Sequence, residues 1–192
     1  MPKKPKPLPL RLFVGVKFPL LKQIKPLLDD ISSLAEDKSL KLRISPTANL
    51  HLTLKYLGTV SEEQGVPIQS VLAQVGHQLQ SFKVNCSSVG FFKNSLWVGV
   101  EKNERLKELV DELNQGLAVL DFEVETKEFS PHITLAKFDK SAKEKLLPIA
   151  EKYQETVWGE IEVNKFHLYK SHTLSEGAKY FILSKYEMGT PN

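Results

Sequence analysis

Two short stretches decide the interpretation of this chain: His51-Leu52-Thr53-Leu54 (HLTL) and its near copy His132-Ile133-Thr134-Leu135 (HITL). In both, aliphatic residues alternate with a histidine and a threonine. That alternation with a period of two is typical of a β-strand that is buried on one face only.

A second pair of copies precedes the first. Residues 12–16 (LFVGV) recur as residues 96–100 (LWVGV), 84 positions later, while the histidine motifs are 81 positions apart. The offsets nearly agree, so both pairs belong to one duplicated unit of roughly 40 residues. Apolar residues between the copies recur every three or four positions, which predicts that each unit runs strand, helix, strand.

The rest of the chain fits around these units. Residues 61–80 and 141–153 are expected to be helices, although Gly65, Pro67 and Gly76 weaken the first. Pro26 is expected to weaken or kink the helix of the first unit. Residues 82–89, 157–169 and 180–188 alternate as strands do. The nearest approach to a boundary is the segment 91–95, and we expect the halves to exchange elements.

The sequence therefore predicts an α+β fold. It is expected to be bilobal, with two pseudo-symmetric, antiparallel-rich β-sheets, each backed by helices, and a central cleft that carries the two histidine motifs. Residues 1–10, rich in proline and lysine, are predicted to be a mobile basic tail, and residues 11–192 a single bilobal domain.

Composition excludes several classes of protein. Of 192 residues, 41% are hydrophobic and 26% charged, values that favour a globular chain over a disordered one. Cys86 is the single cysteine, so the fold contains no internal disulfide and suits a cytoplasmic location. No apolar stretch approaches the ~18 residues of a spanning helix, and a net charge of +3 permits a phosphate-bearing partner without requiring one.

The repeated histidines carry the predicted chemistry. Side chains alternate across a strand, so His51 and Thr53 share one face, as do His132 and Thr134. If a two-fold axis relates the halves, both pairs face one groove. A neutral imidazole can accept a proton from attacking water while a protonated one supplies a proton to the departing oxygen, and the hydroxyls can stabilise phosphate oxygens. This arrangement suits displacement at phosphorus.

Other chemistries are less well supported. Catalytic zinc usually has three protein ligands, and neither motif contains a carboxylate. No nucleophile-elbow motif is present, and Cys86 is expected to be a buried small hydrophobe. His77, His167 and His172 have no second copy and are interpreted as structural or surface residues. The aromatic cluster Phe91, Phe92 and Trp97 is interpreted as core.

With these motifs, the chain resembles the 2H phosphoesterase superfamily, and within it the RNA 2′,3′-cyclic phosphodiesterases formerly described as 2′-5′ RNA ligases. The resemblance rests on residues 11–14 (RLFV), on the segment from Arg43 through Pro46 to residues 49–58 (NLHLTLKYLG), and on residues 129–137 (FSPHITLAK). It extends over almost the whole chain.

The resemblance implies metal-independent hydrolysis, without a cofactor, of RNA ends that carry a 2′,3′-cyclic phosphate, giving a 2′-phosphomonoester. It implies His51 as proton donor and His132 as proton acceptor, assisted by Thr53 and Thr134. DNA ends are excluded as substrates because the cyclic phosphate needs a 2′-hydroxyl. The expected partner is therefore RNA or a nucleotide, and no membrane is expected as a partner. The protein is expected to be a monomer.

Substrate-binding roles are implied for Lys137, Tyr56 and Arg43. Lys137 stands where relatives often have arginine, so it supplies a point charge without a bidentate fork. Simple alternation directs it away from the face of His132 unless the strand bends. Ile44 stands where relatives often have tryptophan, and Tyr56 is an alternative stacking surface.

Two other functions remain open at this point. The same site could join RNA ends through a 2′-5′ linkage, with a ribose 5′-hydroxyl in place of water. Alternatively, the chain could be an RNA- or nucleotide-binding module without catalysis, although binding alone does not require two histidines and two threonines.

Overall fold

The computed structural model describes residues 10–174 and 177–190. The predicted mobile tail therefore lies outside the described residues, apart from Leu10, which begins the first strand. Within the described part of the chain, no helix is long and apolar enough to cross a membrane.

Both units run strand, helix, strand, as the repeat predicts, and a short additional strand precedes the histidine motif of the first unit. In chain order they are β1 (Leu10–Lys17), α1 (Lys25–Ala35), β2 (Leu42–Ile44), β3 (His51–Val60), α2 (Gly65–Gln78), β4 (Phe82–Phe92), β5 (Ser95–Val100), α3 (Glu104–Ala118), β6 (His132–Phe138), α4 (Lys140–Lys152), β7 (Val157–Val163), β8 (Lys165–Leu174) and β9 (Gly177–Glu187).

The strands of the described residues form an antiparallel sheet in the order β7-β4-β5-β6-β3-β1-β8-β9, and β2 pairs with β6. Its two halves, β7-β4-β5-β6 and β3-β1-β8-β9, meet at a single register pair, Leu52 with Ile133. Around this pair β6 corresponds to β3 and β5 to β1. The predicted bilobal α+β fold with a duplicated unit is therefore confirmed, and the two predicted sheets are continuous through one pair of residues.

The halves exchange elements, as expected. Strands β8 and β9, from the end of the chain, complete the half that begins with β1. Helix α1 packs against α4, where Lys152 and Tyr153 both donate hydrogen bonds to the Asp30 carboxylate. Helix α2 packs against α3, where Gly116 lies close to Val71.

Local signals explain where the helices begin. Asn103 caps α3 by accepting a hydrogen bond from the Leu106 amide, and Asp139 caps α4 by accepting from Ser141 and Ala142. The expected kink at Pro26 is wrong. Helix α1 starts at Lys25, so Pro26 occupies the first turn, where a missing N–H costs no intrahelical hydrogen bond.

The aliphatic residues of both motifs form the centre of the core. Leu52, Leu54, Ile133 and Leu135 are each at most 4% exposed, and burying one such side chain is worth about 1.5–3 kcal/mol.

Segment 91–95 is not a boundary. It contains the tight turn of the β4–β5 hairpin, and both strands belong to the same half of the sheet.

Candidate functional site

The contact between β3 and β6 brings the two motifs together. Because Leu52 pairs with Ile133 in antiparallel register, His51 lies beside Thr134 and Thr53 beside His132. All four lie on the face opposite the buried Leu52 and Ile133, and all four are half-buried. The two histidines and two threonines thus form one group around the junction of the halves.

Both imidazoles are held in the same way. The Nδ1 atom of His51 lies 2.6 Å from the Asn49 carbonyl oxygen, and Nδ1 of His132 lies 2.7 Å from the Ser130 carbonyl oxygen. A carbonyl only accepts, so each Nδ1 carries the proton and each Nε2 is left for chemistry. The Thr53 hydroxyl lies 3.0 Å from Nε2 of His51.

The surroundings of the two rings differ. His51 is enclosed by aromatic rings, with ring centroids 4.7 Å from Phe13, 5.8 Å from Tyr169 and 5.2 Å from Tyr180. Gly15 makes this possible, because its missing side chain leaves room for the His51 ring and for the Leu52 carbonyl. His132 contacts one ring of this kind, Phe92, edge to face at 4.8 Å.

Burial lowers the pKa of His51 below the ordinary value for histidine. The hydrogen bond to the Asn49 carbonyl opposes this shift, and the charge of the nearby His132 adds to it. The influence of His132 on this pKa is a direct consequence of the two rings sharing one site. In the free protein the neutral form of His51 is therefore favoured.

Both motif strands contain a β-bulge at the leucine that follows the threonine. Leu54 is skipped in the pairing of β3 with β1, and Leu135 in the pairing of β6 with β5. The extra residue reverses the alternation, so Tyr56 and Lys137 are exposed while their neighbours Leu57 and Phe138 are buried. Tyr56 and Lys137 hold equivalent positions in the repeat, each on the face of its threonine.

This bulge corrects the simple alternation that directed Lys137 away from the site. Tyr56 is 71% exposed, and its hydroxyl accepts a hydrogen bond from Thr53 at 3.4 Å. Lys137 pairs across the strands with Arg43 of β2, so two cations share one face. Like charges at such a position destabilise a sheet unless an anion or solvent compensates for them.

One of the aromatic rings around His51, that of Tyr180, comes from β9. Tyr180 contacts both His51 and Phe13, and burial is the main reason that its pKa is raised. The charges of Arg11 and Arg43 act in the opposite direction. Tyr180 could not be found from the sequence, because β9 reaches the site only by returning to the first half of the sheet.

Two cavities open beside His132. The larger, of about 630 Å³, runs between β3, α3 and the segment before β6. Its lining includes Thr53, Tyr56, Asn103, Lys107, Val110, Phe129 and His132. A smaller cavity of about 280 Å³ lies over β4 and β5, and His132 lines it as well.

The remaining candidates lie elsewhere. Cys86 is fully buried, as expected, and burial raises the pKa of its thiol to about 12. His77 is exposed on α2, and His167 is buried on β8. The interpretation of Phe92 as core is wrong, because its ring is 41% exposed and lies against His132. Within residues 10–174 and 177–190, no three His, Cys, Asp or Glu side chains cluster as metal ligands would.

Similarity to known proteins agrees with this geometry. Residues 23–174 match the family model of the 2′-5′ RNA ligase superfamily. The chain is 31% identical over 185 residues to an RNA 2′,3′-cyclic phosphodiesterase of Archaeoglobus fulgidus, covering 93% of this chain and 100% of that one. The corresponding protein of Methanocaldococcus jannaschii is also 31% identical over 185 residues, covering 92% and 100%.

Solved structures show the same fold. The protein TT0787 of Thermus thermophilus superimposes with a TM-score of 0.73 at 22% identity, covering 95% of this chain and 100% of that one. LigT of E. coli in complex with 3′-AMP gives a TM-score of 0.72 at 22% identity, covering 94% and 99%. The resemblance found in the motifs is thereby confirmed: this chain belongs to the 2′-5′ RNA ligase superfamily.

Proposed function

We propose that this protein hydrolyses RNA ends that carry a 2′,3′-cyclic phosphate to 2′-phosphomonoesters, by acid–base catalysis with His51 and His132 and without a metal ion. One observation carries the proposal: the pairing of Leu52 with Ile133 sets two His-x-Thr strands side by side on one face. The names of the relatives, RNA 2′,3′-cyclic phosphodiesterases, support the substrate class.

The roles of the histidines follow from the bond that breaks. Opening to a 2′-phosphate cleaves the bond from phosphorus to O3′, so the proton donor is beside O3′ and the acceptor is beside the incoming water. Family resemblance assigns His51 as donor and His132 as acceptor. The open surroundings of His132, which lines both cavities, support its position on the water side.

The donor must carry a proton, whereas burial disfavours the charged form of His51. A bound phosphodiester is an anion, and an anion next to an imidazole raises its pKa. Substrate binding therefore stabilises the protonated form of His51. In the free protein, the Thr53 hydroxyl occupies Nε2 of His51 at 3.0 Å and can turn to a non-bridging phosphate oxygen when substrate arrives. Thr134 holds the corresponding position in the second motif, two residues after His132.

Tyr56, Lys137 and Arg43 supply the substrate contacts in this proposal. The exposed ring of Tyr56 stands at the mouth of the larger cavity, where a nucleobase can stack on it. Lys137 and Arg43 stand together as adjacent cations, an arrangement that a phosphate of the RNA backbone would stabilise.

The test is to incubate an oligoribonucleotide with a 2′,3′-cyclic phosphate end in the presence of EDTA and to identify the product. We expect a 2′-phosphate end, while the same oligonucleotide with a linear 3′-phosphate stays unchanged. Unaltered cyclic ends would refute the proposed activity. Activity that EDTA abolishes would replace the mechanism with a metal-dependent one, and a 3′-phosphate product would refute the assignment of the broken bond.

A further inference from the structure

Six cationic side chains come together where β6 ends and α4 begins. Lys137 of β6 pairs with Arg43 of β2. Lys93 lies in the β4–β5 turn, and this turn is joined to β6 by a hydrogen bond from the Phe138 amide to the Asn94 carbonyl. We call the group the cationic edge, and its members are Lys41, Arg43, Lys93, Lys137, Lys140 and Lys143.

The start of α4 and the segment before β2 supply the other three cations. Helix α4 begins at Lys140, directly after β6, and the Asp139 amide donates a hydrogen bond to the Lys41 carbonyl. The Lys143 ammonium lies 5.8 Å from the centroid of the Phe91 ring, which belongs to β4 next to the turn. The helix, the hairpin and the segment before β2 therefore present their cations at the same end of the sheet.

No carboxylate of the described residues neutralises these charges by ion pairing. None of the six cations forms an ion pair within residues 10–174 and 177–190, whereas Lys25, Lys83 and Lys107 elsewhere each do. The Asp139 carboxylate instead accepts the hydrogen bonds that cap α4. Five of the six side chains are exposed, and that of Lys143 is half-buried.

This arrangement of cations destabilises the free protein. Lys137 and Arg43 lie opposite each other on adjacent strands, where like charges repel. Lys140 and Lys143 are among the first four residues of α4, where the helix dipole favours negative charge, and the first acidic residue of that helix is its fifth, Glu144. A ligand that carries several negative charges in a row would relieve both effects.

The cationic edge is continuous with the candidate site. The bulge at Leu135 places Lys137 on the face of Thr134, and the other cations surround the end of the same strand. An RNA chain whose cyclic phosphate lies between the histidines can continue in one direction only, because the ring closes its 3′ side. The phosphates upstream of the terminal nucleotide then need a cationic surface that begins beside the site.

We propose that the RNA chain upstream of the cyclic end runs along the cationic edge, from Lys137 and Arg43 past Lys93 to Lys140 and Lys143. The inference rests on the proposed function and names its substrate class more closely: a single strand of several nucleotides is preferred to a mononucleotide with the same end. Lysine binds phosphate as a point charge, so this contact does not depend on base sequence.

Two substrates with the same terminal nucleotide test the proposal. One is uridine 2′,3′-cyclic phosphate, and the other is an oligouridine of about ten nucleotides with a 2′,3′-cyclic phosphate end. We expect a higher kcat/KM for the oligouridine and a steeper fall of that value with salt. Each neutralised phosphate of a single strand adds ~0.7 to the slope of log affinity against log salt, which is about 2.6-fold between ~50 and ~200 mM.

Removing two cations of the edge should affect the longer substrate only. Lys140→Ala/Lys143→Ala should make the salt slope for the oligouridine shallower by ~1.4, the contribution of two phosphates. At ~50 mM salt it should lower kcat/KM for the oligouridine, while kcat/KM for the mononucleotide stays as it is in the unsubstituted protein. Both lysines lie outside the two motif strands, so the histidines keep their positions.

The matched control is Lys83→Ala/Lys145→Ala, which removes the same net charge from the protein. Lys83 forms an ion pair with Glu160 near the start of β4, at the opposite end of that strand from the turn. The pKa of Asp37 is lowered mainly by hydrogen bonds from Ser39 and further by the charge of Lys145, so Lys145 has a carboxylate near it. We expect the control to keep the salt slope and the kcat/KM of both substrates.

Three results would overturn the inference while leaving hydrolysis intact. Equal kcat/KM values for the two substrates would assign the cationic edge to another anionic partner, such as an acidic protein segment. An unchanged salt slope in Lys140→Ala/Lys143→Ala would show that these lysines contact no phosphate, and equal losses in both double variants would show an effect of net charge alone.

Fluorescence anisotropy with an oligouridine that ends in a 2′-phosphate measures the same salt slope without catalysis. A slope that becomes shallower in Lys140→Ala/Lys143→Ala and not in the control would support the cationic edge. Failure to open either cyclic end would refute the proposed function, and the anisotropy result would still decide whether the edge binds RNA.

Discussion

Leu52 of β3 pairs with Ile133 of β6 at the one point where the two halves of the described sheet are joined. The pair is buried and aliphatic, and the residues that flank it on both strands are the polar members of the repeated motif. The same contact that closes the core therefore assembles the candidate site. Both histidines are then held by backbone carbonyls two positions earlier in the chain.

Removing either imidazole should reduce the rate without unfolding the protein. His51→Ala and His132→Ala should each lower kcat for cyclic phosphate hydrolysis by about 10²–10⁴, the usual loss of a general acid or base. His77→Ala, at an exposed position on α2, is the control and should retain full activity. A loss of less than about tenfold in either variant would show that its imidazole does not transfer a proton.

The pKa of His51 should depend on its neighbours. Burial and the charge of His132 lower it, so an NMR titration of the free protein should place it below the ~6.5 of an ordinary histidine. It should rise in His132→Ala, which removes the repelling charge, and rise on binding of a nucleoside 2′-phosphate. An unchanged pKa in His132→Ala would mean that the two rings do not share a site.

The free energy of unfolding should decrease in acid, because the buried His167 has a lowered pKa. Burial, together with the charges of Lys165, Lys17 and Lys185, lowers the pKa of His167, while a hydrogen bond with the Gly15 backbone opposes the shift. The unfolded chain therefore binds more protons than the native one below about pH 6.5, and the unfolding free energy drops as pH falls through that window. His51 adds to the drop in the same direction.

His167→Phe should flatten this dependence, measured by chemical denaturation at about pH 7.5 and about pH 5.5. One site accounts for at most ~1.4 kcal/mol per pH unit. His77→Gln, on the surface, should leave the dependence as it is in the natural sequence. An equal slope in His167→Phe and His77→Gln would contradict the assignment.

The cation at Lys137 should matter for binding more than for chemistry. Lys137→Ala should raise KM by about 10-fold or more, since a hydrogen bond to a charged group is worth ~1.5–3 kcal/mol. Lys137→Arg should keep or lower KM because guanidinium binds a phosphate with two parallel hydrogen bonds. Lys145→Ala, on the exposed side of α4, serves as control. Equal KM values in the two alanine variants would exclude a phosphate contact.

Cys86 should be unreactive in the native protein. Its thiol is buried, donates a hydrogen bond to the Gly99 carbonyl at 3.2 Å and has a pKa raised to about 12. A disulfide-exchange reagent at about pH 8 should label it only after denaturation, since the thiolate is the reactive form. Inactivation of the native protein at the same rate as thiol labelling would contradict this and would support a cysteine nucleophile instead.

Much of this architecture could be predicted from the repeat. The copies at residues 12–16 and 96–100 identify β1 and β5, and the histidine motifs identify β3 and β6, because period-two alternation is a strong local signal. A duplicated unit also implies a two-fold relation, and hence that His51 and His132 face each other. The types of residue and their repeated spacing were sufficient to predict these strands and the relation between the two histidines.

Other features depend on tertiary context and could not be predicted from the sequence. The bulges at Leu54 and Leu135 reverse the alternation, and nothing in the sequence of a leucine announces an unpaired residue. The turn between β4 and β5 has the polar composition of a boundary, yet it joins two strands of one half. Phe92 is apolar, so its exposure beside His132 is visible only once β4 lies next to β5 and β6.

The central claim is that both imidazoles act on one phosphorus atom, and a structure with a nucleoside vanadate tests it most directly. We expect Nε2 of His51 and Nε2 of His132 each within about 2.6–3.2 Å of an apical oxygen, on opposite sides of the vanadium. A complex in which either ring lies beyond that distance, or in which both rings contact the same oxygen, would contradict the claim.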